Sequence, residues 1–188
     1  VEKKPVFEEM EIRPLSHRAL LSYVEERGIA PAIAQRHCKE VHFRLYGKRY
    51  FAIGYGNRCG GFELRNRFFK GCIPPKDFSS FRQGSSRCHL YEGFMDWLSA
   101  LTLGIGNEED SLVLNSVANV DKAIPALEDY QEIVCHLDHD DAGHRTVEVL
   151  RKHFGECVTD HSGLYSGYKD LNEYLVAKQK ISNHQNKE

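Results

Sequence analysis

No stretch of this sequence approaches the ~18 consecutive apolar residues that a membrane span needs. Its opening, Val1-Glu2-Lys3-Lys4-Pro5, lacks the apolar core of a secretory signal. No membrane partner is expected, and the expected location is the cytoplasm. An opening on Val1 rather than Met is what a fragment of a longer chain would show. The six cysteines, at positions 38, 59, 72, 88, 135 and 157, contain no C-x-x-C pair. His37, Cys38, His42 and Cys59 have no recognisable zinc-ligand spacing. Several cysteines fall in apolar runs, where the residue serves as a small buried hydrophobe. There is no internal repeat. Strong net charge is also missing: at −2 overall, the chain does not declare itself a nucleic-acid binder.

What is present is a folded composition, 41% hydrophobic and 28% charged over 188 residues, enough for one large domain or two small ones. The charge is unevenly distributed. From Arg36 to Arg87 the cations include Lys39, Arg44, Lys48, Arg49, Arg58, Arg65, Arg67, Lys70, Lys76 and Arg82, against Glu40, Glu63 and Asp77. From Glu92 onward acids dominate. A basic half beside an acidic half suits an enzyme that grips a polyanion with one part and a cation with the other, although two ordinarily solvated surfaces would look the same.

The hydrophobic period changes along the chain. Residues 1–13 read as an irregular lead-in. A helix is expected from Pro14-Leu15-Ser16 to the stop at Gly28, and a second from Pro31 to about His37. Val41, Phe43 and Leu45 then alternate with polar residues, and turns near Gly47-Lys48 and Asn57 to Gly61 separate further strand-like runs. The pattern predicts a small antiparallel sheet of three or four strands. Pro74-Pro75 and Arg82 to Ser86 mark a boundary, giving a basic α+β subdomain over 1–84 and a second domain over 85–188. After Ser86 strands alternate with helices. Strands are expected at 88–91, 112–114, 133–137 and 157–159, with helices at 94–103, 121–130, 142–154 and 170–180. That grammar implies an α/β fold, a parallel sheet flanked by helices on both faces.

In such a sheet the ligand site lies beyond the carboxyl ends of the strands, and acids gather there. Glu92 follows the first parallel strand, Asp138 follows the third with Asp140 and Asp141 close behind, and Asp170 opens the last helix. Converging carboxylates repel one another unless a cation neutralises them, and oxygen ligands with room for water suit Mg²⁺ (or Mn²⁺). The plainer alternative for Asp140, Asp141 or Asp170 is a helix N-cap.

These residues carry a family resemblance. Leu90 to Ser99, with Glu92-Gly93 at its head, resembles the glutamate motif of Toprim domains, and Asp138-His139-Asp140-Asp141-Ala142-Gly143 resembles their D-x-D-x-A-G signature. One β-α unit separates the two, as in that family. The resemblance spans about residues 86–176. It implies Glu92 as general acid or base or metal ligand, and Asp138 and Asp140 as Mg²⁺ ligands. Asp96, one helical turn beyond Glu92, is at best a supporting residue, and Gly93 and Gly143 are expected to allow close backbone approach. Lys169 to Leu175 is similar to the acidic segment that follows in bacterial-type primases. There Asp170 matches the first acid, a further metal ligand, while Asn172 stands where the family commonly has a second Asp and Leu171 where it has Pro.

The N-terminal half, through Tyr50 to Gly54, Gly60 to Asn66, Phe69 to Gly71 and Pro75 to Asp77, is similar to the basic subdomain of bacterial-type primase cores. It is most like the divergent primase-like proteins of Bacteroides-type mobile elements. The resemblance implies a nucleotidyltransferase that synthesises RNA primers on a single-stranded DNA template from nucleoside triphosphates. Arg65, Lys70 and Lys76 are the candidate contacts to template or nucleotide phosphates, although a lysine on a sheet edge is as often simply solvated. A replicative helicase and a zinc-binding module in a fuller protein are the further partners implied. A Toprim nuclease, or a nucleic-acid-binding module with a vestigial metal site, are the alternative functions.

Overall fold

A computed structural model describes residues 6–185. Five strands, β1 (Glu8–Pro14), β2 (Lys39–Leu45), β3 (Lys48–Gly56), β4 (Phe62–Arg65) and β5 (Lys70–Ile73), form an antiparallel sheet in sequence order. The β2–β3 hairpin turns on Tyr46-Gly47, both with positive φ, the geometry that matches the twist of a two-residue hairpin. Between β1 and β2 lie helices α1 (Arg18–Glu26) and α2 (Pro31–His37).

Strand β1 corrects the expectation of an irregular lead-in over 6–13; residues 1–5 of that segment lie outside the described residues. Every residue of β1 is exposed, so no apolar alternation reveals it. Pairing with β2, with Ile12 beside Val41 and Pro14 beside Lys39, is what makes it a strand.

The second sheet contains β6 (Ser79–Phe81), β7 (Arg87–Tyr91), β8 (Asp110–Val113), β9 (Glu132–His136) and β10 (Val158–Asp160), in the order β10-β9-β7-β8-β6. Four strands run parallel, and β6 closes the β8 edge antiparallel. The change from first sheet to second therefore comes between Ile73 and Ser79. Helices α3 (Phe94–Thr102) and α6 (Leu171–Gln185) cover one face, and α4 (Val120–Leu127) and α5 (Asp141–Phe154) the other. The α/β architecture with a flanked parallel sheet and an antiparallel sheet ahead of it is as the sequence pattern predicts. No helix among the described residues is long and apolar enough to cross a membrane.

The two halves share a core. Leu20, Tyr23 and Val24 of α1 pack in one cluster with Phe94, Trp97 and Leu98 of α3 and with Leu171 and Leu175 of α6. Burial of side chains of this size contributes about 1.5–3 kcal/mol each. A polar staple crosses the same seam. Asn172, 1% exposed, accepts from Arg27 Nε at 2.5 Å and donates from Nδ2 to the Arg27 carbonyl and to Ser99 Oγ, both at 2.8 Å. Its backbone N–H donates to Asp96 Oδ1 at 3.1 Å.

Removing that amide leaves several buried groups without partners. Asn172→Ala is expected to lower unfolding stability by about 2–4 kcal/mol. Asn172→Asp, which installs the acid common in primases, is expected to destabilise as well, because a second buried carboxylate would face Asp96. Urea unfolding of the two variants checks both, and wild-type stability in either would show that the staple is dispensable.

Candidate active site

Strand β7 runs on to β8 on one side, and the chain then crosses to β9 on the other, so the switch point of the sheet lies between β7 and β9. Tyr91 stands in register with His136 at the carboxyl ends of these strands. The next residues, Glu92 on one strand and Leu137-Asp138 on the other, emerge side by side. Gly93 leads into α3.

The loop after β9 is held by close backbone packing. A Cβ on Gly143 would lie 2.2 Å from the Asp138 carbonyl oxygen, so only glycine fits. At Gly93 a Cβ would meet nothing nearer than Asp96 Oδ2 at 3.7 Å, and the close approach expected there is not found. His139 ties this loop to the segment before α6: its backbone N–H donates to the Lys169 carbonyl and its Nδ1–H to the Tyr168 carbonyl, both at 2.7 Å. That clamp brings Asp170 beside Asp138.

The result is a cavity of about 220 Å³ in which Glu92, Asp96, Asp138 and Asp170 face Arg27, Arg65, Lys70 and Lys169. Lys76 lines an adjoining groove of about 370 Å³ that shares Lys70 and Glu92 with the cavity. Asp140 does not line the cavity. Its Oδ1 accepts from Gly143 N–H at 2.8 Å, the N-cap of α5. Asp170 also caps, accepting from Glu173 N–H at 2.8 Å, yet still faces the cavity.

Asp138, Glu92 and Asp96 have raised pKa values. Burial, then the neighbouring charges of Glu92 and Asp170, pushes Asp138 up to about 7. Glu92 is raised chiefly by burial and then by Asp140, with Lys70 and Lys169 opposing. Asp96, 7% exposed, is raised well above the carboxylate range by burial first and by Asp170 and Asp138 next. Two polar atoms in the cavity walls, Glu92 Oε2 and Arg65 Nε, are buried with no hydrogen-bond partner.

This donor set fits a divalent cation. An orphaned carboxylate oxygen and acids that resist ionisation are what a missing positive charge leaves behind. Among the described residues no three His, Cys, Asp or Glu side chains converge closely enough to hold a metal ion, so a cation here would take one or two carboxylates and complete its shell with water, as Mg²⁺ does.

Sequence reasoning missed Arg27, Glu63, Asn115, Lys169 and His139. Lys169 had a signal, its place next to Asp170 in the primase-like segment. Arg27 had none, since only the fold carries the end of α1 to the second domain.

A parallel sheet with a glutamate and a D-x-D segment at its switch point is the plan of a Toprim-like domain, and residues 89–175 match the family model so described. Residues 9–74 match a model described as a domain of unknown function. Over nearly its whole length the chain has the fold of primase fragments. It resembles the crystal structure of the primase fragment of the bacteriophage T7 primase-helicase protein with TM-score 0.64 and 16% identity, over 97% of this chain and 82% of that one. It also resembles a chain from the bacteriophage T7 lagging-strand DNA polymerase interacting with primase domains bound to an RNA/DNA hybrid and dTTP. There the TM-score is 0.63 at 16% identity, over 95% and 91% of the two chains. The Aquifex aeolicus primase, zinc-binding and RNA polymerase domains, gives 0.60 at 15% identity, over 92% of this chain and 56% of that one. No curated protein sequence matches the chain.

Asp138 sets a pH signature. Its pKa is raised in the folded state, so its favourable contribution is complete below the unfolded value of roughly 3.9 and is lost as pH rises through about 7. Buried His136, its pKa pushed down to about 3, gives stability that rises with pH up to its unfolded value of roughly 6.5, so the Asp138 signature is the difference between wild type and Asp138→Asn. Without metal, the melting temperature of wild type relative to Asp138→Asn should fall between pH 5 and pH 8, with the variant ahead by about 1–2 kcal/mol at pH 8 after allowance for the partial exposure of the group. Mg²⁺ or Mn²⁺ should raise the wild-type melting temperature at pH 8 and lose this effect at pH 5. Differential scanning calorimetry of both proteins across pH tests the sign; a difference that stays constant or moves in favour of wild type from pH 5 to 8 would refute it.

For Asp140 the cap geometry predicts that Asp140→Asn is nearly neutral while Asp140→Ala costs about 1 kcal/mol, measurable by urea unfolding. Equal losses in the two would show that the charge, not the cap, is what the fold uses.

Proposed function

We propose that this chain is a primase-type nucleotidyltransferase that joins ribonucleotides on a single-stranded DNA template with Mg²⁺ (or Mn²⁺) as cofactor. The observation that carries this reading is the opposition, in one cavity at the switch point, of Glu92, Asp138 and Asp170 to Arg65, Lys70 and Lys169. Such a wall-to-wall arrangement of acids and bases is what a nucleoside triphosphate requires, with cations for its phosphates and carboxylates for the metal that accompanies them. The primase folds to which the chain is similar support the same reading.

Asp138 and Asp170 would hold the cation together with water, with Asp140 at the edge of the site and Glu92 kept for proton transfer. A bound divalent ion supplies Lewis-acid polarisation of the phosphoryl oxygens and offsets charge on the leaving pyrophosphate. Arg65 would present its guanidinium to a phosphate oxygen, and Lys70 and Lys169 would add charge beside it. Lys76, in the adjoining groove, extends that cationic wall toward the template. The 3′-hydroxyl of the growing chain attacks the α-phosphorus, the bond from that phosphorus to the β-phosphate oxygen breaks, and pyrophosphate departs. Glu92, with its raised pKa, is the residue suited to take the hydroxyl proton. Asp96 lies behind it, where burial and the neighbouring Asp170 and Asp138 raise its pKa and so disfavour a further negative charge in the cluster.

In this reading residues 1–84 carry the template and residues 85–188 the chemistry, with Ser79–Phe81 of the first part lent to the second sheet. The N-terminal runs from Tyr50 to Asp77 support placing the chain with primase-like proteins of Bacteroides-type mobile elements. A zinc-binding module and a replicative helicase are its proposed partners.

Incubation with single-stranded DNA, labelled nucleoside triphosphates and Mg²⁺ is expected to yield template-dependent oligoribonucleotides. The yield should be poor when the chain initiates alone and better on a short pre-formed primer. Glu92→Gln and Asp138→Asn should each lower it by about 100-fold or more. Shortened DNA would indicate a nuclease instead, and a gel shift without products a binding module.

A further inference from the structure

A second concavity lies outside the carboxylate cavity, between α1 and the connection from β4 to β5. It measures about 530 Å³, and its walls include His17, Arg18, Leu20, Phe51, Arg67 and Phe68. Phe68 is 91% exposed. Its neighbour Phe69 turns inward to the core of the first sheet, packing near Phe43 with ring centroids 6.0 Å apart. The connection thus buries one phenylalanine and leaves the other in water, where it returns nothing to the fold.

Its posture is fixed. Asn66 Oδ1 accepts from the Phe68 N–H at 2.9 Å while Asn66 Nδ2 donates to the Phe51 carbonyl at 2.8 Å. Beside it the Phe51 ring is flanked by His17 at 4.2 Å and His42 at 5.8 Å, at interplanar angles of 31° and 27°. The two histidines thus stack against Phe51 itself, and Phe68 is the ring of the groove left open to a ligand. Cations stand at its rim. Arg18 is exposed on the first turn of α1 and makes no ion pair among the described residues, and Arg67 pairs only with the exposed Glu26. Aromatic faces bordered by arginines complement a ligand that has π-faces and phosphates together. An apolar peptide would complement the rings but not the rim.

The groove and the candidate active site draw on the same two parts of the chain. Strand β4 ends on Arg65, which lines the carboxylate cavity, and the connection to β5 places Arg67 and Phe68 at the groove. Helix α1 presents Arg18 to the groove, and the residue that ends it, Arg27, to the cavity, about 13 Å further along at the helical rise.

We propose that this groove is a stacking station for an unpaired base of single-stranded nucleic acid, built on Phe68 and bordered by Arg18 and Arg67. The station holds the strand outside the carboxylate cavity. It acts through base faces, in addition to the phosphate contacts of the basic sheet. The inference rests on the nucleic-acid reading above.

The test compares the affinity of the whole chain for a short oligothymidylate and for the same oligonucleotide carrying abasic sites, by fluorescence anisotropy. Wild type is expected to lose about tenfold on the abasic strand. Phe68→Ala and Phe68→Leu should each lose about tenfold on the intact strand and little more on the abasic one, because base and ring are two halves of one contact. Phe68→Trp should bind as wild type does. The side chain is exposed, so none of these changes should impair folding, and melting curves check this. Wild-type affinity in Phe68→Ala overturns the proposal. So does full affinity in Phe68→Leu, which would mark a merely apolar contact, and so does conversion of a dimer to a monomer by Phe68→Ala with DNA affinity unchanged. If wild type makes primers while Phe68→Ala binds normally, only the station fails. If the variants behave as expected but no oligonucleotides are made, only the synthesis reading fails. Failure of wild type to bind either strand overturns both.

Discussion

Mutual repulsion among half-buried carboxylates at the switch point is the constraint around which the molecule is arranged. Glu92, Asp96, Asp138 and Asp170 line one small cavity, and burial and neighbouring charge keep the first three from ionising freely. Such a cluster persists only where the surrounding structure holds it and where cations can offset it. Both conditions are met by elements distant in sequence. The cations come from the end of α1, from the connection after β4, and from the loop before α6.

Two devices hold the acids in place. His139 fastens the loop after β9 to the carbonyls of Tyr168 and Lys169, so Asp138 and Asp170 cannot separate without breaking that clamp. Asn172 fastens α6 to the end of α1 and to Ser99 of α3, and its backbone steadies Asp96. The apolar cluster shared by α1, α3 and α6 makes this seam a core rather than a hinge. Asn172 is thus a joint between the two halves. Asn172 can be buried there because every polar atom of its amide has a partner. An aspartate could not be buried at comparable cost.

The same arrangement gives the N-terminal half its part in the site. Its sheet does not merely precede the Toprim-like region; through Arg27, Arg65 and Lys70 it forms the cationic wall of the carboxylate cavity. The groove beside Phe68 extends that wall outward along α1. Phosphate contacts and base faces would then be offered along one path, with the electrostatic part weakening as salt rises and the stacking part much less so.

The sequence by itself determined the alternation of strands and helices after Ser86, the parallel sheet, and the placement of Glu92 and Asp138 at strand ends, because those features follow from hydrophobic period and local spacing. The cap at Asp140 was legible too, as one of two readings that local chemistry allows. Choosing between them needed the position of Gly143 and the bounds of the cavity. Strand β1 was hidden because its side chains are all exposed, so pairing and not burial defines it. Arg27, Lys169 and Asn172 acquired their roles only in three dimensions, where packing α1 on α3 and α6 brings together residues 145 positions apart in the chain. Which charges face each other across a cavity is set by long-range packing, and periodicity along a chain carries no record of it.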